Sequence, residues 1–277
     1  MPGHDGAHDA HGRVRCAVYM TGAEGGGSSP PCQGGSLGGM PKPAVHELTP
    51  TVYRVPTKPF DLVNSFVLLE DDGSVTLVDC GWKSAPPRIV AGLAALGKSP
   101  RDVQRIIVTH AHPDHAGGMA VIRAQTDGRV LAHADDAGFL ERGATPPVDE
   151  RATAGRLFNR LPIRGFAATP VAATVTDGEL LDIAGGLRVV HTPGHTPGHV
   201  SLLHEASGAL ITGDAIFNVL GLRYSPAVFC TDVPLSRQTA DRLGELDYEV
   251  AGFTHGAHVR EGARERVRSF LTRRAAA

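Results

Sequence analysis

The amino-acid sequence predicts an α+β fold in which two β-sheets are each backed by helices. Three observations lead there. The predicted elements run as strands, then alternating strands and helices, then strands again, and close on a strand–helix pair, an order that suits two sheets with helices on their outer faces. The chain has 277 residues with 42% hydrophobic and 20% charged residues, enough to bury a sizeable core. Four of the predicted strand ends run directly into segments rich in His, Asp, Gly and Pro.

The elements follow from local pattern. Residues 1–43 are rich in Gly, Ser, Pro and His, as in Gly25-Gly26-Gly27-Ser28-Ser29-Pro30-Pro31. Such a composition cannot offset its own ordering entropy, so this stretch reads as a disordered extension, with His4, His8 and His11 in a solvated tail. Met40 is an alternative start. The folded domain is expected over residues 44–277. Strands are predicted at 52–55, 62–69 and 75–78, the last two joined by a hairpin turn at Asp71-Asp72-Gly73. Ser84 is positioned to cap a helix that starts near Pro86 and Pro87 and stops by Gly97. A strand at 105–109, a helix at 117–125, a strand at 129–132 and helices at 135–142 and 148–161 follow. After a turn at Thr176-Asp177-Gly178, strands are expected at 187–191, 199–204 and 209–212. A helix over 234–246, a strand at 250–253 and a helix over 259–273 complete the chain.

Composition excludes several classes. The formal net charge is −2, so no basic excess is present to neutralise phosphates, and nucleic acid is not expected as a partner. No apolar run approaches the roughly 18–20 residues needed to span a bilayer. Cys16, Cys32, Cys80 and Cys230 form no CxxC pair and are too few for a disulfide framework in a chain this long. A reducing cytoplasm fits. Cys80 and Cys230 read as small buried hydrophobes.

The chemistry is concentrated in four segments. The strongest is Thr109-His110-Ala111-His112-Pro113-Asp114-His115. Side chains at i and i+2 of an extended backbone share a side, so His110 and His112 can converge, while Asp114 and His115 reach a second point after the proline turn. Imidazole and carboxylate suit zinc, iron or manganese. Desolvating four such groups together without a cation would cost several kcal/mol. The other segments are His191-Thr192-Pro193-Gly194-His195-Thr196-Pro197-Gly198-His199, Ile211-Thr212-Gly213-Asp214, and Phe253-Thr254-His255-Gly256-Ala257-His258. Each is ambiguous alone; together they deliver enough ligands at one sheet rim to enclose two metals.

These residues resemble the metallo-β-lactamase-fold hydrolases, the glyoxalase II and lactonase-like branch in particular. The family's His-x-His-x-Asp-His motif stands as His110, His112, Asp114 and His115. The Gly-His-Thr-Pro-Gly-His segment is Gly194 to His199, and Thr212-Gly213-Asp214, His255-Gly256 and Val78-Asp79-Cys80-Gly81 match further motifs. The resemblance covers roughly residues 45–272 and implies a four-layer αββα sandwich. It implies two divalent cations, most simply zinc, one on His110, His112 and His195 and the other on Asp114, His115 and His255, with Asp214 bridging. His195 is preferred to His191 and His199, and His255 to His258, because they fit the motif. Asp79 would orient ligands, and His199 would do the same or face substrate. The implied reaction is attack of a shared hydroxide on an ester, thioester or lactone carbonyl of a small molecule, with Asp114 a candidate to take the proton. The bridging aspartate sets the chain apart from the true β-lactamases. A mononuclear iron-dependent enzyme of the persulfide dioxygenase type and a β-lactam hydrolase remain alternatives. A nuclease lacks its basic arm here, a flavin-linked reductase lacks its second domain and would replace His112 by Glu, and a non-catalytic relative would have lost ligands. Phe158, Phe166, Tyr224 and Phe229 read as core residues, with a place in the lining of the substrate pocket as the alternative, where Tyr224 would set a hydroxyl near a substrate carbonyl; nothing in the sequence fixes its location.

Overall fold

The computed structural model describes residues 45–151, 153–160 and 165–275, apart from the side chains at 153, 154, 158, 274 and 275. The expected disordered extension, with Cys16, Cys32, His4, His8 and His11, lies outside the described residues, as does the side chain of Phe158. The described residues fall in one compact unit, Pro41–Ala277.

The first sheet contains β1 (His46–Glu47), β2 (Val52–Pro56), β3 (Asn64–Leu69), β4 (Val75–Val78), β5 (Val103–Ile107), β6 (Arg129–His133) and β7 (Ala173–Val175), paired in that order. Its first four strands are antiparallel and the rest parallel. The switch follows from the connections. Gly73, at φ +85°, closes a tight hairpin between β3 and β4. Parallel pairs need crossovers, which α1 (Pro86–Ala95), α2 (Pro113–Ala116), α3 (Met119–Arg123), α4 (Ala134–Arg142) and α5 (Thr153–Phe158) provide. The second sheet is built from β8 (Leu180–Leu181), β9 (Leu187–His191), β10 (Val200–His204), β11 (Ala209–Ile211) and β14 (Val250–Gly252), in the order β14-β11-β10-β9-β8. A separate ribbon pairs β12 (Ile216–Asn218) with β13 (Leu222–Tyr224), and α6 (Val233–Ala240) and α7 (Ala263–Ala275) belong to the C-terminal half.

Alternation along the strands sorts the apolar residues into three layers. Phe66 and Leu68 of β3 meet Val200, Leu202 and Ile211 of the second sheet in the central layer. Val67, one residue out of phase, faces Ile89 and Leu93 of α1 and Met119 of α3. Leu203 and Leu210 face outward in the second sheet onto Val267, Phe270 and Leu271 of α7. Three apolar layers between helix, sheet, sheet and helix make an αββα sandwich.

Several expectations change in detail. Ser84 is not the cap of α1: Ala85 holds that position without a side-chain bond, and the Ser84 hydroxyl accepts from Lys58 instead. The helix expected over 117–125 is two short helices that begin earlier, so Asp114 and His115 sit on the first turn of α2. Gly117 and Gly118 separate them, and Gly118 packs so closely on the Cys80 carbonyl that a Cβ would lie 2.3 Å from its oxygen. The long helix expected over 148–161 is only α5. The helix expected over 234–246 becomes α6 followed by a 3-10 turn at Asp241–Gly244. The strand expected from Leu62 starts at Asn64, because Phe60 and Asp61 adopt φ +57° and +55° in the preceding turn. Among the described residues, no helix is long and apolar enough to cross a membrane.

Candidate metal centre

Register brings the chemical segments together. β4 and β5 run parallel, so Asp79 and the 109–115 segment leave the first sheet at the same end. In the second sheet β9, β11 and β14 share one direction, since β10 is antiparallel to both β9 and β11 and β14 is parallel to β11. His195, Asp214 and His255 therefore leave from one rim.

His110 and His112 lie past the end of β5, in a bend where the His112 amide donates to the His110 carbonyl (3.1 Å), while His112 itself keeps extended dihedrals (φ −114°, ψ 155°). They converge by using different ring nitrogens. His110 Nε2, His112 Nδ1 and His195 Nε2 lie 2.9–3.1 Å from one another. In a second group, His115 Nε2 and His255 Nε2 stand 3.2 and 3.3 Å from Asp214 Oδ1, and Asp114 Oδ2 is 3.5 Å from His255 Nε2. Asp214 Oδ2 faces the first group, 3.2 Å from His195 Nε2.

The surrounding hydrogen bonds set which nitrogen of each ring points inward. Asp79 accepts from the Thr109 amide, the Thr109 hydroxyl and His115 Nδ1, each at 2.8 Å. That makes Nδ1 of His115 the outward donor and Nε2 the nitrogen it can offer to a cation. The Thr109 hydroxyl, having donated to Asp79, accepts from His110 Nδ1 at 3.1 Å. His255 Nδ1 donates to the Leu62 carbonyl at 2.5 Å. His195 Nδ1 pairs with the Ser225 hydroxyl at 2.8 Å, with buried Cys230 Sγ 3.7 Å away. His199 is committed elsewhere: its Nε2 accepts from the Asp214 amide (2.7 Å), so its Nδ1 donates to the Thr192 carbonyl (3.0 Å). It positions the Asp214 backbone. Gly213, at φ +53°, is required beside it, because a Cβ there would lie 2.6 Å from His199 Nε2.

Electrostatics at the cluster centre on Asp214. Burial opposes its charge, yet His255, His115 and His195 hold its carboxyl well below the usual range. Burial likewise opposes protonation of His195, but Asp214 raises it to about 9. His115 is raised well above the ordinary imidazole value against burial, by Asp214 and Asp79. Burial and neighbouring His195 push His199 down to about 3.

These residues fit divalent cations. His115 Nε2, His255 Nε2 and Asp214 Oδ1 are buried without a hydrogen-bond partner, a costly arrangement unless a cation meets them. The first group concentrates three imidazole nitrogens of the kind that ligate zinc. Cation binding must displace the protons that Asp214 induces on His195 and His115. Zinc titration at pH 7 is thus expected to release protons, and affinity is expected to rise with pH toward 9; calorimetry in buffers of different ionisation enthalpy measures both.

Other candidates are placed apart. His191 donates from Nε2 to the Pro197 carbonyl (2.8 Å) and stacks on His133 with ring centroids 3.9 Å apart. His258 lies 5.9 Å from the His46 ring and is lowered to about 4 by burial and Arg54. Tyr224 takes the core alternative: its ring packs on Phe270 of α7, because alternation in β13 turns it to the outer apolar layer. Phe166 packs in the layer beneath the first sheet. Phe229 lines a cavity of ≈ 270 Å³ at the cluster, with Trp82, Pro113, Asp114, Thr145 and Phe217.

Three supporting residues were not anticipated. Asp136, 0% exposed at the start of α4, accepts from the Ala111 amide, the Thr196 hydroxyl and the Gly198 amide, each at 2.7 Å, and so ties the two histidine loops together. Asn64 donates to the carbonyls of Phe253 and Gly256, both at 2.9 Å, and accepts from buried Arg54, whose guanidinium also meets Asp61 at 2.8 Å. Ser225 holds His195. Asp79→Asn keeps the shape but weakens the acceptor for His115 Nδ1. It is expected to lower metal affinity about 10–100-fold, measured by competition with a chelating dye.

Comparison with known proteins agrees with this geometry. The family model described as metallo-beta-lactamase superfamily matches residues 59–255. An uncharacterized protein of Bacillus subtilis, YobT, is 34% identical over 154 residues, covering 53% of this chain and 60% of that protein. A hydroxyacylglutathione hydrolase of Anaeromyxobacter dehalogenans is 37% identical over 154 residues, 56% of this chain and 46% of the relative. This chain thus spans about half the length of such relatives. A metallo-beta-lactamase family protein from Thermus thermophilus superposes with a TM-score of 0.63 at 28% identity, over 83% of this chain and 81% of its own. A metallo-beta-lactamase from Cronobacter sakazakii, at 22% identity, shares the fold with a TM-score of 0.65 over 85% of this chain and 93% of its own. The match over residues 59–255, with the ligand segments at one rim of an αββα sandwich, makes this chain a member of the metallo-beta-lactamase superfamily.

Proposed function

We propose that the chain is a binuclear metal-dependent hydrolase of small esters, thioesters or lactones. The observation that carries this reading is the two-sided placement of Asp214, with Oδ2 3.2 Å from His195 Nε2 and Oδ1 3.2 Å from His115 Nε2. One cation would be held by His110, His112 and His195, the other by Asp114, His115 and His255, with Asp214 shared. Zinc suits this ligand set, and iron or manganese would also be accepted by it. When bound, such cations supply Lewis acidity toward a carbonyl and a water acidified to near neutral pH. The chain's own residues do the rest. Asp79, Thr109 and the Leu62 carbonyl hold the Nδ1 protons, so the inward nitrogens of His115, His110 and His255 stay available. Asp114 lines the cavity and is within reach of a proton released by the attacking water. Trp82, Phe217 and Phe229 line the same cavity, where a bound substrate would cover their rings.

The aspartate at position 214 favours ester, thioester and lactone substrates over β-lactams. The hydroxyacylglutathione hydrolases among its relatives point the same way. The test is turnover of zinc-reconstituted protein on acyl esters, thioesters, lactones and β-lactams. Ester, thioester or lactone hydrolysis that chelator removes and zinc restores is the expected result. Turnover of β-lactams alone, or oxygen consumption with one bound iron, would replace this reading.

A further inference from the structure

The candidate ligands account for the polar wall of the ≈ 270 Å³ cavity. The rest of its lining is apolar apart from Thr145: Trp82 just after β4, Pro113 at the start of α2, Phe217 on β12 and Phe229 on the 3-10 turn Ala227–Phe229. Three of these are aromatic and come from separate parts of the chain. Phe217 is held in place, 8% exposed with its ring 4.2 Å from that of His255. Trp82 and Phe229 are each 41% exposed. Large aromatic side chains left in water beside a polar cluster gain when a ligand covers them, and an apolar pocket with a few convergent polar groups is how small-molecule sites are built.

We propose that this cavity selects carbonyl substrates whose acyl group is uncharged and apolar, with Trp82, Phe217 and Phe229 as the walls that grip it. The proposal takes the reacting carbonyl from the hydrolase reading above, but the acyl pocket itself is a matter of binding. A straight aliphatic or aromatic acyl chain gains by covering the exposed rings. A carboxylate at the far end of that chain loses its hydration against aromatic carbon.

Trp82 is the single tryptophan of the chain, so its fluorescence reports occupancy of this cavity. The full, zinc-reconstituted chain is titrated with straight-chain primary amides from acetamide to octanamide and with their ω-carboxylate counterparts. The matching p-nitrophenyl esters are assayed in parallel. The dissociation constant is expected to fall about fourfold per added methylene until the chain outgrows the cavity. The ω-carboxylates are expected to bind at least about tenfold more weakly than the neutral amides of the same length. Phe229→Ala is expected to flatten the series, weakening octanamide about fivefold. A neutral chain-length series without ester cleavage would keep the acyl pocket and remove the hydrolase reading. Ester cleavage without chain-length dependence, or with preference for the carboxylates, would overturn the acyl pocket and leave the hydrolase reading standing. Amides that neither change Trp82 emission nor compete with ester turnover would also overturn it.

Discussion

Replacing Asp214 with asparagine is expected to lower turnover by ~10³-fold or more, equivalent to at least about 4 kcal/mol of transition-state stabilisation. The protein should lose bound metal at the same time. The side chain keeps its size, so the fold and the hydrogen bond from the backbone N–H of residue 214 to His199 Nε2 should persist. What changes is charge and donor character. Among the described residues Asp214 is the one carboxylate facing both candidate ligand groups, and His255, His115 and His195 all favour its ionised form. An amide removes that negative charge. If its nitrogen takes the place of Oδ1, N–H bonds point at His115 Nε2 and His255 Nε2, where a cation should sit. Metal content and circular dichroism on the same sample separate the effect from unfolding. Unchanged metal content with unchanged turnover would remove Asp214 from the centre.

Asp136→Ala is expected to have the largest effect on stability. Asp136 has no contact with the converging ligand atoms, yet it accepts from the Ala111 amide between His110 and His112, and from Thr196 and Gly198 between His195 and His199. Burial pushes its carboxyl above the usual range, while those three donors act in the opposite sense. Alanine leaves two backbone N–H groups and a hydroxyl without an acceptor in a buried place. At about 1 kcal/mol or more for each, the loss is about 3 kcal/mol. For a domain of this size that is a fall of roughly 6–12 °C in Tm. Because the two loops are no longer held together, zinc affinity should also fall about 10–100-fold. Asp136→Asn keeps one acceptor oxygen and should recover part of both losses. Thermal melts with and without zinc measure the two effects separately.

The candidate ligand segments stood out because ligand chemistry requires particular residue types at particular spacings. His110, His112, Asp114, His115, His195, Asp214 and His255 stand out in the chain for that reason, and the structure brings all seven side chains together. The two helix-backed sheets were legible from the order of the elements and the sandwich from the family resemblance, whereas the split of Val67 from Phe66 and Leu68 into two apolar layers was not, since all three are apolar. What was not legible depends on contacts distant in sequence. Asp136 reads as one of two acidic residues favouring a helix N-terminus, and nothing local says that it bonds Gly198, 62 positions away. Asn64 reads as a strand residue, although its amide holds the His255 loop 192 positions away. Tyr224 could not be placed from the sequence, because the short β12–β13 ribbon was not recognised. Its three-residue strands carry too little pattern to show which face of Tyr224 is buried.

The most direct test of the proposed binuclear centre is metal stoichiometry by elemental analysis of the zinc-reconstituted chain beside His255→Ala. The account predicts about two ions per chain in the parent and about one in the variant, since His255 serves only the group with Asp114 and His115. One ion per chain in both proteins would contradict it.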